Sequence, residues 1–355
     1  MKPKYSIGIW GQFGGEGHVL ADGQAVRTTI ITNELKNKYG AEKILVANTH
    51  NWKKRPLAFL CDSIRLILKS KVVLFLPADN GFKVFVPLIL FINFFVRRHL
   101  IYVVIGGFLP NLLKTTPFYL RLVKKIDTLY VQTPNIKSDL ENLGITRIKM
   151  LSNLKRLNTV SQPNEQVLSS LTIKLCTLSR VIKEKGIEDA VRAVNMVNQT
   201  LGEQLVSLDI YGVVPSEYKP NFETIVKNNS DVVSYKGIAQ YDKTVEVLSG
   251  YFAMLFPTYY HGEGFPGNVV DAYNAGIPII ASDWMYNSDV IQHNVNGILV
   301  QPKDADVLRD AIMHLYNNRE LAYQIAQNNI LESKKYHPDA VLFDLYQEIN
   351  NYINN

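Results

Sequence analysis

Cysteine is scarce in this sequence, whose 355 residues include only Cys61 and Cys176. Both stand in apolar segments of what we expect to be different domains, so neither a disulfide nor a cysteine-based zinc site is expected. The first residues, Met-Lys-Pro-Lys, lead directly into a strand pattern and lack the apolar segment and cleavage site of a secretory signal. We therefore expect a protein of the reducing cytoplasm that is not exported.

Long hydrophobic runs are also lacking. A very apolar segment, residues 82–96, ends at Arg97 and Arg98. A helix that crosses a membrane needs about 20 apolar residues, so this segment is too short to span a bilayer. We predict a helix here that is either buried or interfacial.

Acidic residues are few in the first half of the chain. Residues 1–160 contain 24 Lys and Arg against 9 Asp and Glu, a net charge of +15, whereas residues 161–355 contain 14 against 23, a net charge of −9. Two halves of opposite net charge favour two domains, and the basic charge of the first half favours an anionic partner. That partner could be an anionic membrane, a lipid-linked pyrophosphate or nucleic acid. Nucleic acid is the least favoured because no nucleic-acid-binding module is visible.

Apolar strand patterns alternate with helical patterns along the whole chain. Hydrophobic residues make up 47% of the sequence, which is enough for two cores. We predict an α/β protein with two Rossmann-like β/α/β domains, residues 1–155 and residues 156–335, followed by a final helix within residues 336–355. Within the first domain, residues 113–126 predict one basic helix.

A glycine-rich loop follows the first predicted strand and includes Gly14 and Gly15. Its glycines let backbone amides approach a ligand closely. The loop matches neither the P-loop nor the dinucleotide pattern Gly-x-Gly-x-x-Gly. By itself it is equally consistent with a flexible turn.

A complete strand, loop, helix and strand unit is predicted over residues 256–287. Glu263 lies in the loop and Asp271 in the helix, which begins at Gly267 and ends at Gly276. In open α/β sheets such a loop lies at the carboxyl edge, where ligands bind. The helix amino terminus suits a pyrophosphate and the two carboxylates suit sugar hydroxyls, although an ordinary core unit would show the same element pattern.

Two cations, Arg180 and Lys185, follow the first predicted strand of the second half. At the carboxyl edge of a sheet they can clamp a diphosphate and stabilise its charge as it leaves. The alternative is a solvated charged loop. Asp304 and Asp306 precede a periodic helix and are interpreted as its N-cap and first-turn acid rather than as metal ligands.

These motifs resemble those of a known enzyme family. Glu263 and Asp271 stand in the acid-x7-acid signature of the family 4 retaining glycosyltransferases of the bacterial surface-polysaccharide type, with Asp271 in the place of the usual glutamate. Residues 179–186 are similar to the family's Gly-Arg-Leu-x-x-x-Lys-Gly pattern, with Ser179 replacing the first glycine. The resemblance implies the GT-B fold, in which two Rossmann-like domains face each other across a cleft and the final helix crosses back to the first domain.

The resemblance also implies roles for individual residues. The expected catalytic residues are Arg180 and Lys185, which neutralise the donor diphosphate, and Glu263, which orients the sugar. The residues expected to bind the donor are Gly14, Gly15, Gly212, Lys236, Gly264, Phe265, Pro266, Gly267, Asn268 and Asp271, of which Asp271 would contact the ribose. No metal and no cofactor are expected, because the donor is itself the substrate, a UDP- or GDP-sugar.

The function implied is transfer of a sugar, with retention of configuration, to a glycan acceptor in cell-surface polysaccharide biosynthesis. We expect a lipid-linked acceptor and peripheral contact of the basic half with the inner face of the cell membrane. Two alternatives stay open. A dinucleotide-dependent oxidoreductase would fit the β/α pattern but lacks the Gly-x-Gly-x-x-Gly motif, and a catalytically silent sugar-nucleotide-binding protein would fit the departures at Ser179 and Asp271.

Overall fold

The computed structural model describes residues 3–14 and 23–353. It divides into two compact units. The first unit comprises Met1–Leu154, Gly262–Phe265 and Pro338–Asn355, and the second comprises Lys155–His261 and Pro266–His337. This division differs from the linear one expected from the sequence, because four residues of the loop around Glu263 belong to the first unit.

The first unit contains a parallel sheet with the strand order β2-β1-β3-β4-β5-β6. Its strands are β1 (Tyr5–Gly11), β2 (Ile44–Asn48), β3 (Ser70–Phe75), β4 (His99–Val103), β5 (Thr128–Val131) and β6 (Ile148–Met150). Its helices are α1 (Gly23–Tyr39), α2 (Pro56–Lys69), α3 (Asp79–Val96), α4 (Leu109–Thr115), α5 (Pro117–Val123), α6 (Pro134–Asn142), α14 (Pro338–Val341) and α15 (Phe343–Ile353). Apolar strand residues are buried on both faces of this sheet, as parallel sheets covered by helices require.

The prediction of a single basic helix over residues 113–126 is wrong. The chain forms α4 and α5 instead, and Thr116 between them has non-helical backbone angles, with φ −134° and ψ 89°. The break occurs because Pro117 lacks an amide hydrogen and disfavours helical geometry at the residue before it, so a new helix starts there.

The apolar segment 82–96 forms most of α3 and is buried on one side only. Phe82, Phe85 and Ile89 are buried, whereas Phe91, Phe94 and Phe95 are exposed. Among the helices that the structure describes, none has both the length and the apolarity that crossing a bilayer requires.

The second unit contains a parallel sheet with the order β12-β11-β10-β7-β8-β9. Its strands are β7 (Ile173–Leu178), β8 (Val206–Tyr211), β9 (Val233–Gly237), β10 (Ala253–Phe256), β11 (Ile279–Ser282) and β12 (Ile298–Val300). Its helices are α7 (Glu165–Ser169), α8 (Ile187–Leu201), α9 (Lys219–Asn228), α10 (Thr244–Leu248), α11 (Gly267–Ala275), α12 (Ala305–Asn317) and α13 (Arg319–Ser333). Both units are thus Rossmann-like, as predicted.

The predicted N-cap of α12 is confirmed. The Asp304 side chain accepts hydrogen bonds from the amides of Asp306 and Val307. Asp304 therefore satisfies two free helix amides. Within the described ranges 3–14 and 23–353, no group of three or more His, Cys, Asp or Glu side chains could hold a metal ion.

Candidate functional site

The second sheet reverses its direction of growth between β7 and β10. From β7 the chain adds β8 and β9 on one side, and then β10, β11 and β12 on the other. The loops after β7 and β10 therefore diverge at their carboxyl ends, and such a switch point is where open α/β sheets bind ligands. The sequence-predicted cations follow β7 and the glycine-rich loop follows β10.

The two cations meet at one aromatic ring. The Arg180 guanidinium carbon lies 5.2 Å from the centroid of Tyr260, and the Lys185 ammonium lies 5.2 Å from the same centroid and 5.3 Å from that of Phe256. Arg180 is exposed, whereas Lys185 is buried. Aromatic faces attract cations, so Tyr260 holds two positive charges close together at the carboxyl edge.

Glycines let the loops of this edge approach one another. Gly186 has a φ of +71°, and a Cβ there would collide with the carbonyl oxygen of Pro257. At Gly212, whose φ is +143°, a Cβ would come even closer to the carbonyl oxygen of Ser179. The predicted donor residue Gly212 therefore supports the Arg180 loop by close backbone packing.

The helix α11 begins beside the cation loop. Pro266 precedes it without a side-chain cap, and Gly267 is its first residue. The Asn268 side-chain amide donates to the Leu178 carbonyl at the end of β7, 2.8 Å away. Asn268 thus ties the helix start to β7, and the positive end of the helix adds to the electrostatic attraction for an anion.

Asp271 lies inside α11 and is 2% exposed. The Lys155 ammonium lies 2.6 Å from both of its carboxylate oxygens, and the Thr244 hydroxyl donates to Oδ1 at 2.7 Å. This carboxylate is therefore engaged by protein groups, whereas the sequence predicted a contact with a ribose. Nothing in the sequence pattern singled out Lys155 or Thr244.

The residues Gly262–Phe265 belong to the first unit, where the ends of β4 and β5 hold them. A Cβ on Gly264 would stand 2.7 Å from Gln132 Oε1 and 2.8 Å from the Gly106 carbonyl carbon, closer than side chains allow. The Asn153 side-chain amide donates to the Phe265 carbonyl at 3.1 Å. Glu263, in this segment, is buried at 8% exposure.

Gly14 and Lys236 lie at other sheet edges. Gly14, whose φ is +75°, follows β1, and its carbonyl accepts a hydrogen bond from the Asn48 side chain at 3.1 Å. Gly15 lies outside the described residues. Lys236 lies on β9, 3.5 Å from the Asp209 carboxylate, and not at the switch point between β7 and β10.

Within the second unit, the structure thus brings together the residues Arg180, Lys185, Gly212, Pro266, Gly267 and Asn268. Sequence reasoning missed Tyr260, which lies between the cations. The sequence feature that could have indicated Tyr260 is an aromatic residue four positions after the end of β10. It stands in the loop after β10, one of the two loops that flank the switch point.

Most of the second half of the chain matches a known protein family. Residues 162–331 match the family described as Glycosyl transferases group 1. A UDP-N-acetylglucosamine–peptide N-acetylglucosaminyltransferase GtfA subunit of Streptococcus pneumoniae is 31% identical over 45% of this chain and 30% of its own length. A poly(ribitol-phosphate) alpha-N-acetylglucosaminyltransferase of Staphylococcus aureus is 25% identical over 64% of this chain and 45% of its own length. The chain spans less than half the length of these curated relatives.

Among solved structures, Anabaena HepE in complex with UDP-glucose aligns with 98% of this chain and 99% of its own, at a TM-score of 0.75 and 13% identity. This likeness extends over both units and shows that the chain has the GT-B fold.

Proposed function

We propose that this chain, whose residues 162–331 match the glycosyl transferases group 1 family, transfers a sugar from a nucleotide-sugar donor to a glycan acceptor with retention of configuration. A UDP-sugar is the first donor to test, because HepE, with the same fold, binds UDP-glucose. A GDP-sugar is the second.

The arrangement of Arg180, Lys185 and Tyr260 carries the proposal. Two cations at a switch point, beside the amino terminus of α11, suit a group that bears two phosphates. Their attraction grows as the donor diphosphate departs with its full charge, and interactions that strengthen in this way lower the barrier. This residue set supplies the leaving-group stabilisation for which other glycosyltransferases use a divalent cation.

The proposed reaction is a same-face substitution. The bond between the anomeric carbon and the diphosphate oxygen breaks, and a bond from that carbon to the acceptor oxygen forms on the same face. The acceptor proton moves to an oxygen of the departing phosphate, so atoms and charge balance. In this proposal Glu263 orients the donor sugar, and the glycine loop after β1 faces the donor phosphates and the acceptor.

The acceptor is proposed to be a growing lipid-linked glycan of a cell-surface polysaccharide. Support comes from the net charge of +15 in residues 1–160, which favours an acceptor carrying a phosphate or pyrophosphate.

The decisive experiment replaces each cation by methionine, which keeps the side-chain stem. We expect Arg180→Met and Lys185→Met each to lower turnover of a UDP-sugar more than tenfold, since each removes a charge-assisted contact of about 1.5 to 3 kcal/mol. Lys183→Ala, on the same loop but exposed, is the matched control and should keep wild-type turnover. Wild-type rates in both methionine variants would contradict the assignment.

Product analysis completes the test. Nuclear magnetic resonance of the glycosidic product should show the anomeric configuration of the donor. Specific UDP binding by the wild-type protein without either transfer or donor hydrolysis would instead establish a silent binding protein.

A further inference from the structure

We propose that the solvent-facing side of α2 and α3, here called the α2–α3 face, docks on an anionic lipid bilayer. Its exposed apolar residues are Leu57, Leu60, Ile64, Val84, Phe91, Phe94 and Phe95. The proposal concerns only the first unit and goes beyond the transferase activity, because binding to lipid is measured without donor or acceptor.

The end of α3 presents aromatic rings that the core does not use. Phe91, Phe94 and Phe95 are 68%, 76% and 71% exposed. They contact one another edge to face, with ring centroids 5.6 Å apart for Phe91 and Phe95 and 5.3 Å for Phe94 and Phe95. Large apolar side chains grouped on a surface in this way mark an interaction site.

The two helices form one continuous layer. Phe59 of α2 packs on Phe85 of α3 with ring centroids 5.2 Å apart, and the Arg98 guanidinium donates to the carbonyls of Ile67 and Leu68. Both helices connect strands in the same direction along the sheet, so they cover the same side of it. Leu57, at 78% exposure in the first turn of α2, therefore extends the apolar surface of this layer at the end opposite the phenylalanines.

The positive charge of this region indicates that the α2–α3 face binds an anionic surface. Residues 51–125 contain 13 Lys and Arg against Asp62 and Asp79, a net charge of +11. Lys53, Lys54 and Arg55 are exposed just before α2. Apolar rings on a face that carries such an excess of cations complement anionic headgroups over an acyl boundary, whereas two copies of the same basic face would repel each other.

The α2–α3 face runs along the side of the first sheet from one edge to the other. Arg97 and Arg98 lie between the end of α3 and the start of β4, so the phenylalanines lie at the amino edge of the first sheet. Lys53, Lys54 and Arg55 follow β2 and precede α2, so they lie at the carboxyl edge. Contact with a bilayer through both groups therefore requires this side of the unit to lie along the membrane.

The test is flotation of the full chain with vesicles of phosphatidylglycerol and phosphatidylcholine in equal parts, against phosphatidylcholine alone. We expect binding to the anionic vesicles that weakens as salt rises, since surface charges are screened within about 10 Å at 0.1 M salt. The triple variant Phe91→Ser, Phe94→Ser, Phe95→Ser should bind at least tenfold more weakly. Leu171→Ser with Leu331→Ser, equally exposed in the second unit, is the control and should bind as the wild type.

Charge reversal provides an independent arm. Lys53→Glu, Lys54→Glu and Arg55→Glu together should lower binding more than tenfold, because each cation near an anionic leaflet contributes about fivefold. The matched reversal of Lys219, Lys227 and Lys243, all exposed in the second unit, should lower it far less. Equal losses from both triples would show that total charge alone attracts the protein and would overturn the assignment to this face.

Cys61 provides a direct readout, because it is exposed on α2 whereas Cys176 is buried. A polarity-sensitive fluorophore on Cys61 should shift to shorter wavelength with anionic vesicles and not with phosphatidylcholine alone. Binding that ignores lipid charge, or that the phenylalanine variant retains, would overturn the proposal. A wild-type dimer that the same variant turns into a monomer, without lipid binding, would assign the face to a second copy of the chain.

Discussion

At the scale of single residues, Asp271 shows how a motif position can acquire a structural partner. Its carboxylate lies in a buried ion pair with Lys155, and Thr244 adds a hydrogen bond. A buried ion pair is stable only while both charges are present, because a buried charge without a counterion destabilises the fold. Asp271 therefore links α11, which starts at the candidate site, to the first residue of the second unit and to α10.

We expect Asp271→Asn to lower the free energy of unfolding by about 3 kcal/mol or more, because it leaves the Lys155 ammonium buried without its counterion. Thr244→Val removes one hydrogen bond to the same carboxylate and should cost about 1 to 2 kcal/mol. Urea unfolding of the full chain measures both. An Asp271→Asn protein of wild-type stability that no longer binds UDP would instead assign the carboxylate to the nucleotide.

At the scale of secondary structure, the final helix α15 is anchored by one acid. Glu348 lies 2.8 Å from His99 Nε2 and from the Lys149 ammonium, and Tyr130 donates to it at 2.9 Å. Burial raises the pKa of Glu348, but the hydrogen bonds from His99, Lys149, Thr128 and Tyr130 outweigh it and lower the pKa from 4.5 to about 2. The charged form is thus favoured in the folded chain, which ties α15 to β4, β5 and β6.

A lowered pKa gives a stabilisation that is complete above the unfolded pKa of 4.5 and is lost as the pH falls toward 2. The shift corresponds to about 3 kcal/mol. We expect Glu348→Gln to be less stable than the wild type by about this amount at pH 7, and the difference to shrink steadily below pH 4.5. Urea unfolding at a series of pH values measures it.

Glu141→Gln is the matched control for this prediction. Glu141 also faces a lysine in the first unit, at 3.8 Å, but its side chain is 49% exposed. Exposed pairs contribute at most about 1 kcal/mol, so this variant should change stability little at any pH. Equal pH profiles for the two variants would show that the Glu348 contacts do not stabilise the folded chain.

At the scale of the whole molecule, the proposed chemistry relies on fixed cations of the chain. We expect EDTA to leave transferase activity within about twofold of its untreated value, because Arg180 and Lys185 stabilise the leaving diphosphate. Activity with and without EDTA, and after manganese is added back, provides the measurement. Complete loss on chelation with recovery by manganese would contradict the proposed role of the two cations.

Local sequence patterns were enough to predict the alternation of strands and helices in both units, since a buried parallel strand is apolar along its whole length. The sequence also predicted the start of α11 at Gly267, its end at Gly276 and the N-cap of α12, because proline, glycine and aspartate act within a few residues of their own position. The positions of Arg180 and Lys185 after β7 followed from the same local pattern.

Which of these residues contact one another depends on the fold and could not be predicted from local patterns. Lys155 and Asp271 are 116 positions apart, and Glu348 lies 249 positions from His99, so no periodicity could pair them. The apolar residues 82–96 predicted a helix but did not indicate which side of it would be buried. In the structure Phe82 is buried, whereas Phe94 is exposed to solvent. Likewise Gly264 joins the first unit because its missing Cβ lets it pack against Gln132 and Gly106, a contact fixed by the fold around it and not by its sequence neighbours.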